Sequence, residues 1–177
     1  MAFLYPLGVI HPISMVIPGS KSISFIKDTA GEGQLQPCGI DMTLKEVHSL
    51  SDSGEIDFDN SKRRISKSAP LAFGADGKLH LPQGCYKIIY NEYVSVPMDA
   101  CAFGFPRSSL LRCGADVRCA VWDPGYHGRS ESLLVVHSAH GITLYKGAKV
   151  MQLVFVRLES AAHKGYEGQY KGENAKV

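Results

Sequence analysis

No stretch of this chain keeps an apolar period of 3.6 residues long enough to build a helix of ordinary length. Its apolar residues come in short runs set between Gly, Pro, Asn, Asp and Ser: "LHLPQGCYKIIYNEYVSVP", "DVRCAVWDPGYHG" and "SLLVVHSAHGITLYKGAKVMQLVFVRLE". β-Branched and aromatic residues dominate these runs, and "CYKIIYNEYVSV" alternates apolar with polar side chains. That alternation is the pattern of half-buried strands joined by turns. The chain therefore reads as an all-β sandwich or jelly roll, and 177 residues make one domain with room for a sizeable core. Two places could hold a short helix. One is "LKEV" around residue 46; the other is "RSSLLRCG", where Ser108 or Ser109 could cap the start and Gly114 could end it. The polar stretch "SDSGEIDFDNSKRRISKSAPLAFGADGK" reads as a hairpin excursion or mobile loop, and the tail "YEGQYKGENAKV" as a flexible arm.

Composition narrows the function classes. A formal net charge of +2 implies no nucleic-acid partner. The five cysteines show neither a CxxC pair nor zinc-ligand spacing, which argues against a metal centre or a disulfide framework. Pro6, Pro12 and Pro18 interrupt the apolar start, and no basic segment precedes it, so it reads as neither signal peptide nor membrane span. No membrane partner is expected, and reduced thiols make the cytoplasm the default location.

Three segments carry candidate chemistry. "PRSSLLRCG" offers a helix start, two hydroxyls and Arg107, a set that suits a phosphate or, equally, an ordinary capped surface helix. In "VWDPGYHG" a strand ends at Asp123 and turns through Pro124 and Gly125; the acid either bonds its own turn or serves a site. In "LQPCGIDMTL" Asp41 stands among strand residues, where an acid faces solvent, pairs with a cation or serves a site.

In this order the segments resemble the trimeric dUTPase and dCTP deaminase superfamily. "QLQPCGIDMTL", "PRSSLLRCGA", "AVWDPGYHG", "YKGAKVMQLVFVRLE" and "YEGQYKGE" stand for its successive motifs. The resemblance implies a distorted jelly-roll (β-clip) subunit with one short helix. Residues 1–165 would form the β domain and 166–177 a flexible arm or lid. It also implies a homotrimer whose sites lie between subunits, so that different chains supply different motifs. Asp123 matches the acid that activates a water against the α-phosphorus of dUTP. Arg107, Ser108, Ser109, Arg112 and Gln152 match substrate-binding positions, most of them on phosphate, and Tyr126 matches the aromatic beneath the deoxyribose. Tyr166, Tyr170 and Lys171 are the tail's candidates. Mg2+ would arrive on the substrate phosphates, with Asp41 at most a water-mediated partner and no protein metal site.

The deaminase branch of the superfamily needs a Glu five residues beyond the last Gly of the third motif. Here that position is Leu133, or Leu134 with a one-residue bulge, and Glu131 would reach the base only if the strand were offset. The tail departs from the deaminase pattern as well: Gln169 precedes Tyr170, Lys171 follows it, and Glu173 takes the late position. The resemblance is to the archaeal-type dUTPases with a deaminase-like tail; a dCTP deaminase or bifunctional enzyme is the alternative. A homologue without turnover would lose the catalytic acid, and Asp123 is present. His127 and Arg129 are expected in solvent, and His137 and His140 in a turn before the next strand.

Overall fold

The computed structural model describes residues 15–175; most of the apolar start read above lies outside the described residues. Among these residues the main sheet has nine strands, and every pairing is antiparallel. The strand Gly39–Leu50 organises it. Residues 39–44 are buried on both faces, after which exposure varies along the strand. It pairs first with Lys149–Arg157, Ile40 opposite Leu153. From Leu44, opposite Tyr90, it pairs with Gly84–Tyr90, and past an irregularity between Leu44 and Glu46 Val47 stands opposite Ile88. This passage from one partner to the next bends the sheet into a jelly-roll-like curl. Met42, Leu44, Tyr90, Leu134, Leu153 and Phe155 are fully buried within it.

"LKEV" is strand, contrary to the helical alternative. Four residues cannot meet the cost of nucleating a helix alone, whereas Leu44 and Val47 bury completely against the ladder. The expected helix forms over Ser108–Arg112, and a further helical turn spans Gly19–Ser22. Gly114 ends the first of these with φ +74°, a left-handed conformation that glycine adopts without steric cost. The polar stretch after Leu50 is an ordered excursion. Glu55 bridges Arg64, and the chain rejoins the sheet at Ser68–Leu71 beside Gly39–Leu50. No helix among the described residues is long and apolar enough to cross a membrane.

Glu92, in the corner between Gly84–Tyr90 and Tyr93–Ser95, is fully buried and pins that corner to the central strand. It accepts the side-chain N–H of Gln34 at 2.7 Å, the Thr43 backbone N–H at 2.9 Å and the Thr43 hydroxyl. Burial raises its pKa, and the bonds from Thr43 and Gln34 oppose that rise. Glu92→Leu leaves these donors short of an acceptor inside the protein, so urea titration should show a loss of about 3 kcal/mol. A glutamate held above its ordinary value of 4.5 binds more proton folded than unfolded. Its contribution to stability is therefore full below that value and declines as pH rises through the folded pKa.

Candidate active site

The Asp-Pro-Gly corner is a tight turn hung on a strand edge. Ala102 and Trp122 exchange backbone hydrogen bonds, both 3.0 Å. Asp123 then accepts the Tyr126 N–H at 3.1 Å through its backbone carbonyl, and Gly125, at φ +78°, donates to Val96. Proline second and a left-handed glycine third is the pattern of a type II turn. A Cβ on Gly125 would stand 2.9 Å from the Cα of Gly165, so no side chain fits there. The Asp123 carboxylate takes no part in the turn. It is exposed, and among the described residues no hydrogen bond or ion pair engages it.

Beside it opens a cavity of about 450 Å³, lined among others by Asp123, Tyr126, Glu131, Tyr166, Tyr170 and Ile65. Tyr126 is buried, and its hydroxyl lies 3.1 Å from Ser130 Oγ and 2.8 Å from Glu173 Oε1. The Trp122 indole N–H donates to the same Ser130 Oγ. A phenol has one proton. With Glu173 ionised, that proton goes to the carboxylate and Ser130 donates to Tyr126, giving a relay Trp122–Ser130–Tyr126–Glu173 with every donor used. Burial raises the pKa of both Tyr126 and Glu173.

The tail is folded on this corner in its own chain. Tyr166 donates its N–H to Pro124 at 2.7 Å and meets the Tyr126 ring edge-on at 5.8 Å. Gly172 donates to the His127 carbonyl at 2.7 Å, and the Glu173 carbonyl accepts from Arg129 at 3.0 Å. The Asn174 amide reaches Glu131 Oε1 at 3.2 Å. Lys171 and Tyr170 are both exposed.

A second cluster surrounds Asp41, which is buried. Arg107 lies 3.3 Å from its carboxylate, Lys149 3.8 Å and the Gln36 amide 2.9 Å. Burial raises the Asp41 pKa, and Arg107, Lys149 and Gln36 oppose that rise. Gln152 stands opposite Asp41 on one side and Phe105 on the other. Arg107 itself is the N-cap residue of Ser108–Arg112, and among the described residues no side chain caps the helix. Ser108 and Ser109, read as caps, instead lie exposed beside Arg107, and Arg112 is exposed in the last turn.

The two clusters do not meet within one chain. The antiparallel bridge at Ala102 and Trp122 directs Asp123 toward Cys101, and its charge helps raise that thiol's pKa, after burial. Arg107 follows the other end of the Ala100–Pro106 strand, about 20 Å away at roughly 3.3 Å per residue.

Arg129 corrects the expectation of solvent exposure. It is buried, pairs with Asp28 at 2.7 Å and donates to the Asn91 carbonyl. His127 is half-buried against the Tyr93 hydroxyl at 2.7 Å. His137 and His140 are exposed between Glu131–Val136 and Ile142–Tyr145, as read. Glu131 does reach the cavity, but Lys87 holds it at 3.0 Å. Lys149 and Gln36 carry no local sequence signal that marks them as partners of Asp41.

Comparison with known proteins gives a consistent picture. Residues 19–158 match the dCTP deaminase-like family. A probable deoxyuridine 5'-triphosphate nucleotidohydrolase of Methanosarcina mazei is 51% identical over 143 residues, 81% of this chain and 84% of that protein. The deoxyuridine 5'-triphosphate nucleotidohydrolase of Methanocaldococcus jannaschii is 40% identical over 161 residues, 89% of this chain and 99% of that protein. Among solved structures, the 2'-deoxycytidine 5'-triphosphate deaminase of Agrobacterium tumefaciens shares the fold with a TM-score of 0.61 at 17% identity, over 81% of this chain and 48% of its own. With the motifs in order on a curled antiparallel sheet, the chain belongs to the dCTP deaminase-like family, within the dUTPase and dCTP deaminase superfamily that its sequence resembles.

Proposed function

We propose that the protein is a dUTP diphosphatase acting as a homotrimer, each site joining the Asp123 corner of one chain to the Arg107 cluster of its neighbour. The observation that carries this reading is the Asp123 carboxylate, which no described residue engages, beside a nucleotide-sized cavity. Asp123 takes a proton from a water, and the water oxygen bonds to the α-phosphorus. The bond from that phosphorus to the bridging oxygen breaks, releasing diphosphate and leaving dUMP. Arg107, Ser108, Ser109, Arg112 and Gln152 hold the phosphates, and Tyr126 packs beneath the deoxyribose, where a 2′-hydroxyl finds no room. The arm 166–177 acts as a lid through Tyr166, Tyr170 and Lys171.

Two cations and an amide already face the Asp41 carboxylate. That donor set suits a metal held by substrate oxygens better than one ligated by protein. Mg2+ on the triphosphate supplies countercharge when bound, with Asp41 the residue to approach it through water. Five unpaired cysteines suit a reducing compartment such as the cytoplasm. The deaminase alternative lacks a free general base, because Glu131 is engaged by Lys87 and Asn174 while Leu133 holds the deaminase position. Wild-type protein incubated with Mg2+ should yield dUMP and diphosphate from dUTP and no ammonia from dCTP. Ammonia release with intact dUTP would reverse the assignment and point to Glu131.

A further inference from the structure

The reaction above makes no use of the polar excursion after Leu50, yet that segment ends against the site. It has little core of its own: Ile56 is 74% exposed and Phe58 fully so. Its order comes from polar bracing. Glu55 and Arg64 exchange backbone hydrogen bonds of 2.8 and 2.9 Å. Asp57 Oδ2 accepts from the Lys62 N–H at 2.8 Å and the Ser61 hydroxyl at 3.1 Å, and Asp52 Oδ1 accepts from the Lys67 N–H at 2.6 Å. This bracing sets two side chains on the site. Ile65 lines the cavity that Asp123 and Tyr126 line. Arg63, half-buried, donates from Nη2 to Gln169 Oε1 at 2.6 Å.

The second contact falls on the stretch of tail between its backbone anchors. Backbone bonds to Pro124, His127 and Arg129 anchor Tyr166, Gly172 and Glu173. Between them, among the described residues, the Arg63 bond and a local ion pair of Lys164 with Glu167 at 2.6 Å are the polar contacts from outside the tail that reach residues 167–171, and Arg63 alone comes from a distant part of the chain. That stretch includes Tyr170, which lines the cavity, and Lys171.

We propose that the excursion is a wall of the nucleotide site: Ile65 packs against the base and sugar of the bound deoxynucleotide, and Arg63 holds the middle of the tail over it through Gln169. Both residues act on binding rather than on the chemical step, so they are specificity and positioning residues. The proposal rests on the dUTPase reading for its substrate, but the hold of Arg63 on the tail does not.

Two readouts separate these parts. In dUTP kinetics Arg63→Ala and Gln169→Ala should each raise KM roughly 3- to 10-fold, the worth of one hydrogen bond, with kcat changed less than about 2-fold. The double variant should be no worse than either single one, because both remove the same contact. Gln169→Glu should lower KM in the Arg63 protein and lose that gain in Arg63→Ala. Ile65→Ala should raise KM without touching the tail. The second readout needs no substrate: tryptic cleavage after Lys171 in the full-length protein should be faster in Arg63→Ala and Gln169→Ala, and unchanged in Ile65→Ala. Additive effects of the two single variants, or tail cleavage equal to wild type, would overturn the Arg63 assignment. An unchanged KM in Ile65→Ala would overturn the wall. Faster tail cleavage beside a wild type that leaves dUTP intact would support the Arg63 hold and sink the dUTPase reading instead.

Discussion

Asp123→Asn should lower dUTP hydrolysis by roughly 10²- to 10⁴-fold, the loss typical of a removed general base, while a non-hydrolysable dUTP analogue still binds within a small factor. The structure makes this substitution clean. The turn is closed by the Asp123 backbone carbonyl, which Asn retains, and the side chain lies at the surface, so thermal stability should not move. An acid that merely closed its own turn would give the opposite pattern, with rate kept and stability lost. An internal check lies close by. Burial and then the Asp123 charge hold the Cys101 thiol above its ordinary pKa. Removing the charge lets that pKa fall, and alkylation of Cys101 at mildly alkaline pH should accelerate.

Arg107→Ala carries the second large effect, on binding. A charge-assisted hydrogen bond to phosphate contributes about 1.5–3 kcal/mol, so KM for dUTP should rise roughly 10- to 150-fold. The substitution also removes the nearer of two cations from the buried Asp41, leaving Lys149 at 3.8 Å. Burial already pushes the Asp41 pKa up, and without Arg107 it rises further. The part of the loss that comes from the missing Arg107–Asp41 attraction should therefore be full where Asp41 is ionised and shrink as pH falls through the carboxylate range. Arg107→Lys keeps the charge but not the fork of donors, and should recover only part of the affinity.

Much of this was legible in the sequence because strands and turns write local signatures. The alternation in "CYKIIYNEYVSV" and the Pro-Gly after Asp123 each appear in the structure where their pattern implies. "LKEV" was ambiguous because four residues carry no period, and the choice was made by a ladder whose partner strand lies some 40 residues onward. Arg129 read as a surface charge because its partner, Asp28, is distant in the chain, and a buried arginine is intelligible only with that partner in place. The same holds within the site. Asp41, Arg107 and Gln152 were readable through their motifs, whereas Lys149, Gln36, Arg63 and Ile65 have only spatial credentials. That Asp123 and Arg107 lie at opposite ends of one strand follows from register, which no local pattern encodes.

That separation also allows a direct test of the proposed site between chains. Asp123→Asn and Arg107→Ala chains are each nearly inactive at low dUTP, but an interface where the first supplies Arg107 and the second supplies Asp123 has both groups intact. Unfolded together in equal amounts and reassembled at random, they should form about one such interface in four. The mixture, running at trimer mass by light scattering, should hydrolyse dUTP at about a quarter of the wild-type rate, against near zero for either parent. Activity no greater than the sum of the parents in a verified mixed trimer would contradict the account, because Asp123 would then not act on phosphates held by another chain.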